Sequence, residues 1–500
     1  VFGEAKETFT LPTGDGGNGY LVISAPDVQA KYPQVPWATL DRLYIPAGKY
    51  RSIQLGNLPE RSPGKPLVIT NLGGQVVVGG SGAGLNVALG GGKNWVFTGR
   101  YDPLSKTGDP GYRGHLEGAF AHSQGSYGIL IDDQLSKEGL SGLAVGGKAS
   151  DFELEALEIR NVEFAGIVAK TDNDGAATMR NVKLHDVYIH DTGSEGIYFG
   201  STQKQPQHTF ENLAIHDNRI LRTGTEALQV GQLGPGCEIH HNVLGPAATR
   251  WRSAFQMYQD GNVQYGQRHG SSSFHHNIVI GTGDLFVEFF PTLVDGDPRL
   301  PTDTVTFSEN YFSDTSSSGV YTHAVNTGVT IRFEKNLFRG FFFNYSEVYP
   351  DAKEPVQVFG VGSNSPNPHL LIDNQVDAPY PFLKWTFPSV TETGTTAGPI
   401  ARVKFLDFMT KELDDNHRKL EWWTDTATLS PGKTPVTYPT GFVVLHKGKL
   451  YQATAASQGK EPDKHPEAWK ALPEPADDVR LDPGSPHKPL GLRWPPATGG

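Results

Sequence analysis

The chain has 500 residues and sets 54 acidic side chains against 43 basic ones, a net charge of -11. That balance, with no segment clustering Lys and Arg, excludes a nucleic-acid partner, because a phosphate-binding surface is built from such clusters. No apolar run is long enough to span a bilayer. With 37% hydrophobic residues, 59 glycines and 36 prolines, the composition points to many short strands joined by turns, in an elongated repeat architecture rather than one compact core.

Irregular strands are predicted at residues 43–50, 67–70, 95–97 and 127–131, so that a solenoid begins near residue 40. From residue 157 one phrase recurs: an apolar residue, two polar residues, an Asn and another apolar pair. It occupies residues 157–164, 182–189, 213–220, 237–244, 272–279, 305–312, 331–338 and 370–376, at intervals of roughly 24 to 38 residues, as expected of one coil plus a variable loop. A second phrase, small then apolar then variable, follows at 164–168, 194–198, 225–229, 252–256, 283–286 and 318–321 and supplies another strand per coil. Each coil lays short parallel strands about 4.8 Å above the last, with alternate side chains pointing inward. Asn218, Asn242, Asn277, Asn310 and Asn336 are expected to stack inside a bend, where Asn accepts the left-handed conformation and its amide bonds the next coil. The paired histidines His240-His241 and His275-His276 fall in this phrase and read as turn residues rather than metal ligands. The single Cys237 reads as a buried structural thiol.

Aligning the second phrase predicts a column of acids: Glu195 in Thr192-Gly-Ser-Glu, Glu226 in Thr223-Gly-Thr-Glu and Asp284 in Thr282-Gly-Asp. Beside it the variable position gives Tyr198, Gln229, Gln256 and Tyr321, and the next outward position gives Lys170, Tyr258, Glu288 and His323. Trp251 and Arg252 lie in a loop beside the column, with Trp251 as a sugar platform. Glycosidic hydrolysis needs one carboxylic acid and one carboxylate, about 5–5.5 Å apart for retention and 6.5–9.5 Å for inversion. Glu195 and Glu226, one coil apart, suit the first, and Glu226 and Asp284, about 9.6 Å apart over two coils, the second. The competing readings are that the acids sit in ordinary turns, or that they bind Ca²⁺ beside a lyase base drawn from Lys170, Arg250, Arg252, His269 and His323. No cofactor is required by the hydrolytic reading.

The repeats resemble the right-handed parallel β-helix superfamily of pectate lyases, alginate lyases and polygalacturonases over roughly residues 40 to 400. The resemblance implies an all-β, right-handed parallel β-helix and polysaccharide chemistry outside the cytoplasm, secreted or periplasmic, with any leader absent from this numbering. The paired-aspartate and Gly-His-Gly signatures of polygalacturonases and the Arg/Lys motifs of the lyases are missing, so no catalytic residue transfers. Residues 421–475, with Glu421-Trp-Trp, Tyr438-Pro-Thr-Gly and Trp469, resemble small chitin- and cellulose-binding modules, which implies that Trp422, Trp423, Tyr451 and Trp469 stack on sugar rings. The bland alternative makes those aromatics the core of a small module. The expected organisation is a β-helix with an N-terminal cap over 1–420, the module over 421–475, and a closing segment over 476–500. A glycoside hydrolase is the first expectation, a Ca²⁺-dependent lyase of uronic-acid polymers the second, and a non-catalytic glycan-binding solenoid the third.

Overall fold

The computed structural model describes residues 5–80, 86–100, 127–134, 140–170, 177–201, 208–253, 261–283, 285–290, 296–298, 300–315, 318–323, 329–341, 358–361, 367–377, 389–408, 420–428 and 434–493. Three of the residues singled out above, Gln256, Tyr258 and Asp284, lie outside them. The chain folds as a parallel β-helix: among the described residues one sheet of 36 strands, parallel but for an N-terminal hairpin, runs from Thr8–Thr10 to Thr396–Ala397. The ladder starts earlier than the repeats suggest, because Thr8–Thr10 and Tyr20–Ala25 both pair in parallel with the long strand Arg42–Leu55.

Three stacks of strands make the walls. The first contains Ile167–Ala169, Ile197–Phe199, Leu228–Leu233, Val263–Gln267, Val287–Phe289 and Val320–Thr322. The second contains Lys183–His185, Ala214–His216, Cys237–His240, Ser272–His275 and Thr304–Ser308. The third contains Tyr188–His190, Arg219–Leu221, Val243–Leu244, Ile278–Thr282 and Tyr311–Thr315. Strict alternation sends one set of side chains inward, where like residues stack on like: Phe307 on Phe333 and Phe312 on Phe338, each pair 4.7 Å between ring centroids.

The bend between the second and third stacks holds the expected amide ladder, all of it buried. The Asn242 backbone N–H donates to Asn277 Oδ1 at 3.0 Å while its Nδ2 donates to Ile215 O at 3.0 Å and to Asn277 Oδ1 at 2.9 Å. Asn374 extends the ladder one coil further, accepting from the Asn336 N–H at 3.0 Å. One detail differs from expectation. The left-handed residue is the one before each Asn, at Asp217, His241, His276, Glu309 and Lys335, with φ between 53 and 56°. The ladder residue itself keeps an ordinary backbone and turns its amide inward. Cys237 is buried, and burial pushes its thiol up to about 12.

After Thr396–Ala397 the chain doubles back along the third stack. Phe405–Asp407 pairs antiparallel with Asp478–Leu481. Between them a separate sheet orders Leu420–Trp422, Val443–His446, Lys449–Ala453 and Trp469–Ala471. Its residues Leu420, Val443, Leu445 and Leu450 share one apolar cluster with Tyr188, Leu221, Val243 and Ile278 on the solenoid's outer face. The insert is therefore docked, not tethered. Asp477 fixes the seam: both carboxylate oxygens accept from Arg222, at 2.7 Å each, its carbonyl accepts from Arg219 at 2.6 Å, and the Tyr188 hydroxyl donates to Oδ2.

Candidate active site

Outward-facing residues of the first stack form a polar stripe. The register aligns Val168, Tyr198, Gln229, Gln264, Glu288 and Tyr321 across successive coils. Two positions differ from those the sequence predicts. The strand of the Trp251 coil is Val263–Gln267, not 252–256, so Gln264 occupies the place expected of Gln256. Glu288 stands level with Tyr198 and Tyr321, while Lys170 and His323 lie two residues further along their coils.

Glu195 and Glu226 precede their strands in equivalent positions: the Gly166 N–H donates to Glu195 O and the Gly196 N–H to Glu226 O, at 3.0 and 2.9 Å. Two coils later the Asn262 N–H donates to Leu285 O at 2.8 Å. Leu285, next to Asp284, thus takes the level that the column of three acids would give to Asp284. Among the described residues the column is a pair.

That pair is shut away from water, Glu195 at 1% exposure and Glu226 at 0%. Burial pushes the Glu195 carboxyl above its ordinary value, against the pull of Ser194 and Lys170. Burial and then the charge of Glu195 push Glu226 well above the carboxylate range. Two like acids in a dry site hold a proton between them more readily than two charges. Gln264 Nε2 donates to Glu226 Oε1 at 2.7 Å. The other oxygen of each acid, Oε2, has no hydrogen-bond partner among the described residues, and such orphaned buried acceptors mark places where structure alone does not explain the side chain. Gln264 was missed in the sequence, although the alternation Val263-Gln-Tyr265 after Asn262 carries the strand signal.

Around the pair, Lys170 Nζ lies 4.3 Å from the centre of the Tyr198 ring. Further up the stripe His323 Nε2 is 2.6 Å from Glu288 Oε1, and Tyr321 meets His323 edge-on at 5.0 Å. The loop after Leu244 braces the acids from behind. Ala248, Thr249 and Arg250 donate their N–H groups to the turn Thr223–Thr225, and Arg250 Nη1 donates to Gly193 O at 2.9 Å and Glu163 Oε1 at 3.2 Å.

Several expected sugar contacts are structural. Trp251 is buried, with Arg252 4.1 Å above its ring and its Cβ against Gly283, so it is a wedge and not a platform. Arg252 is held by Glu421 at 2.8 Å, and His269 is buried beyond the strand end. In the insert, Trp469 is core, its Nε1 donating to Lys460 O at 2.8 Å. Trp422 lies 4.9 Å from the Arg250 guanidinium. Trp423 and Tyr451 are half-buried on either side of His446.

Two groups among the described residues bring three metal-type ligand atoms within 4.8 Å of one another: Glu153, Glu155 and His185 on the second stack, and His446, Glu461 and Asp463 in the insert. Both already hold cations, Arg100 on Glu155 at 3.1 Å and Lys447 on Glu461 and Asp463 at 2.9 and 2.7 Å.

No protein family and no curated protein matches this sequence. Among solved structures the chain is similar to several at low identity. An alginate lyase from Paenibacillus is 15% identical over 75% of this chain and 100% of its own, with a TM-score of 0.40. A GH136 lacto-N-biosidase from Eubacterium ramulus is 11% identical over 72% of this chain and 62% of its own, with a TM-score of 0.44. The A-module of a mannuronan C-5 epimerase from Azotobacter vinelandii is 11% identical over 72% and 91%, with a TM-score of 0.39.

Proposed function

We propose that the protein is a polysaccharide-degrading glycoside hydrolase acting outside the cytoplasm, with Glu195 and Glu226 as its working carboxyls. The observation that carries the reading is the pair itself: two buried acids in register on adjacent coils, both pushed up, each keeping one oxygen unpartnered among the described residues. The likenesses to solved structures leave the choice of chemistry to this site. A coil spacing of about 4.8 Å supports a retaining mechanism, for which the carboxyls stand about 5–5.5 Å apart.

Glu226, the more strongly raised acid, carries the proton to the glycosidic oxygen as the C–O bond breaks. Glu195, drawn toward ionisation by Lys170, adds to the anomeric carbon. In the second half Glu226, now a carboxylate, takes a proton from the water that releases the sugar. Gln264 holds Glu226 Oε1, leaving Oε2 for the leaving oxygen. Tyr198, Gln229, Lys170, Glu288, Tyr321 and His323 line the stripe that would carry the glycan, and Trp422, Trp423 and Tyr451 would offer a second contact on the insert.

One observation favours a second reading. His323, held by Glu288, is 40% exposed at its side chain, whereas the acids are enclosed. A lyase would use that imidazole to take the proton beside a uronate carboxyl, with Ca²⁺ on the acids. The test is incubation with neutral and uronic polysaccharides, with and without chelator, following reducing ends and the ultraviolet absorbance of unsaturated uronates. Reducing ends without absorbance, lost in Glu195→Gln and in Glu226→Gln, support hydrolysis. Absorbance that vanishes with chelator or in His323→Ala overturns it in favour of the lyase, and neither product leaves a glycan-binding solenoid.

A further inference from the structure

The second stack ends each coil with a pair of side chains at the bend, and four successive coils form two adjacent columns. Along one column His185, His216, His240 and His275 stack at 4.8, 5.0 and 5.0 Å between ring centroids. Along the other stand the left-handed residues Asp186, Asp217, His241 and His276, with φ of 54 to 56°. In the two lower coils the pair is His with Asp: His185 Nδ1 to Asp186 Oδ2 and His216 Nδ1 to Asp217 Oδ2, both 2.7 Å. In the two upper coils a second imidazole replaces the acid. His240 Nδ1 then lies 3.0 Å from His241 Nδ1, and His275 Nδ1 lies 3.0 Å from His276 Nδ1.

The lower coils show that Asp serves the bend. Replacing it with His twice in succession exchanges a charge-assisted hydrogen bond for a weaker N–H···N contact. It also gains something Asp does not offer: two neutral nitrogens converging on one point. With metal–nitrogen bonds of about 2.1 Å, nitrogens 3.0 Å apart subtend an angle of about 90° at the ion, the cis angle of a tetragonal site. Each pair has this bite, and rings of successive pairs stack at 4.9 and 5.0 Å. Glu309 Oε2 stands 3.4 Å from His276 Nε2, where a carboxylate fixes the tautomer that leaves Nδ1 free to ligate. The nearest cation, Arg493, is bound to Asp217, its Nη2 at 2.5 Å from Oδ2.

We infer that His240–His241 and His275–His276 form a chelating face for a divalent transition ion of the copper and nickel class, separate from the Glu195–Glu226 site. The first ion sits on one pair through two Nδ1 atoms, with water completing its coordination.

The experiment adds Cu(II) to the whole protein and reads the nitrogen hyperfine pattern by electron paramagnetic resonance, with affinity from calorimetry. The key variant is His241→Asp with His276→Asp, which restores to the upper coils the His–Asp pair that the lower coils already fold with. The expected result is a first equivalent of Cu(II) bearing two imidazole nitrogens in the wild type, and at least tenfold weaker binding in the double variant with an unchanged melting transition. Should the double variant melt early, His240→Gln with His275→Gln is measured instead, with the same expected loss. Equal binding in wild type and variants, binding lost only in His446→Gln, or no binding at all overturns the proposal.

Discussion

Asp191 lies four residues before Glu195, and Arg222 four residues before Glu226, so the same two coils carry two buried charged sites. The first is complete. Arg222 Nε donates to Asp191 Oδ1 at 2.7 Å, its remaining nitrogens reach Asp477, and the Asp191 carboxyl is held well below its ordinary value by Arg222 and His190 against the cost of burial. The second joins two buried acids, Glu226 pushed upward by burial and by Glu195, and among the described residues leaves an oxygen on each without a partner. A solenoid repeats its backbone faithfully, so the contrast lies wholly in side chains. Opposite charges at one corner make a lock, and like charges at the next make a site that is costly to keep.

Crossing the two sites in mutagenesis is the sharpest way to break this contrast. Glu226→Gln should lower turnover by roughly 100- to 10,000-fold, the usual worth of a general acid, while raising stability at neutral pH. Steady-state kinetics and urea melts on one preparation check both. Asp477→Ala should do the reverse, losing about 3–5 kcal/mol in a urea melt because Arg222 is left buried with one counter-charge fewer, with the retained fold still active. If Asp477→Ala abolishes turnover in protein that remains folded, the two sites are not independent.

Titration separates them with opposite signs. The native Glu226 keeps a proton that an unfolded glutamate gives up above its ordinary value of 4.5, so its contribution to stability is full below that pH and is lost as the pH rises through the higher native value. Asp191 stays ionised in the native state below its ordinary 3.8, so its contribution is full above that pH and is lost as the pH falls. Urea midpoints across pH should decline at the alkaline side in the wild type and decline less in Glu226→Gln. An identical alkaline slope in both would show that Glu226 is not the group responsible.

Smaller effects test the repeat and the insert. Asn277→Leu removes the acceptor of the Asn242 N–H and should cost about 1–3 kcal/mol for each group left unsatisfied, read as a lower midpoint in denaturant. Trp423→Ala should weaken retention on insoluble polysaccharide a few-fold and leave hydrolysis of soluble chains unchanged. Equal retention would confine the half-buried aromatics of the insert to its core.

Much of the fold was legible because a solenoid writes its geometry many times. The Asn phrase located the bend, and the equal spacing of Thr192-Gly-Ser-Glu and Thr223-Gly-Thr-Glu put two acids in register. The reading slipped where a coil carried an extra loop. Residues 252–256 satisfy the small-apolar pattern as well as Val263–Gln267 does, and nothing local tells them apart. The partners of the arginines were invisible for another reason: Arg222 and Asp477 are 255 positions apart, and no periodic signal joins them. Trp469 of the insert lies in its core, which the sequence does not mark because rings that stack on sugars and rings that build a small core are the same residues.

The doubling back of the chain bears on how the protein is made. Coils of a solenoid can form in order as they leave the ribosome, each resting on the one before. The coils holding Arg219 and Arg222 cannot be finished that way, since Asp477, whose carbonyl holds Arg219 and whose carboxylate joins Asp191 on Arg222, lies 255 residues beyond Arg222. At synthesis rates of about 5–20 residues per second that interval is roughly 13–50 s, during which a nearly complete solenoid exposes two guanidinium groups and an apolar flank. A segment synthesised long after the coils it seals is thus the one that closes the middle of the molecule.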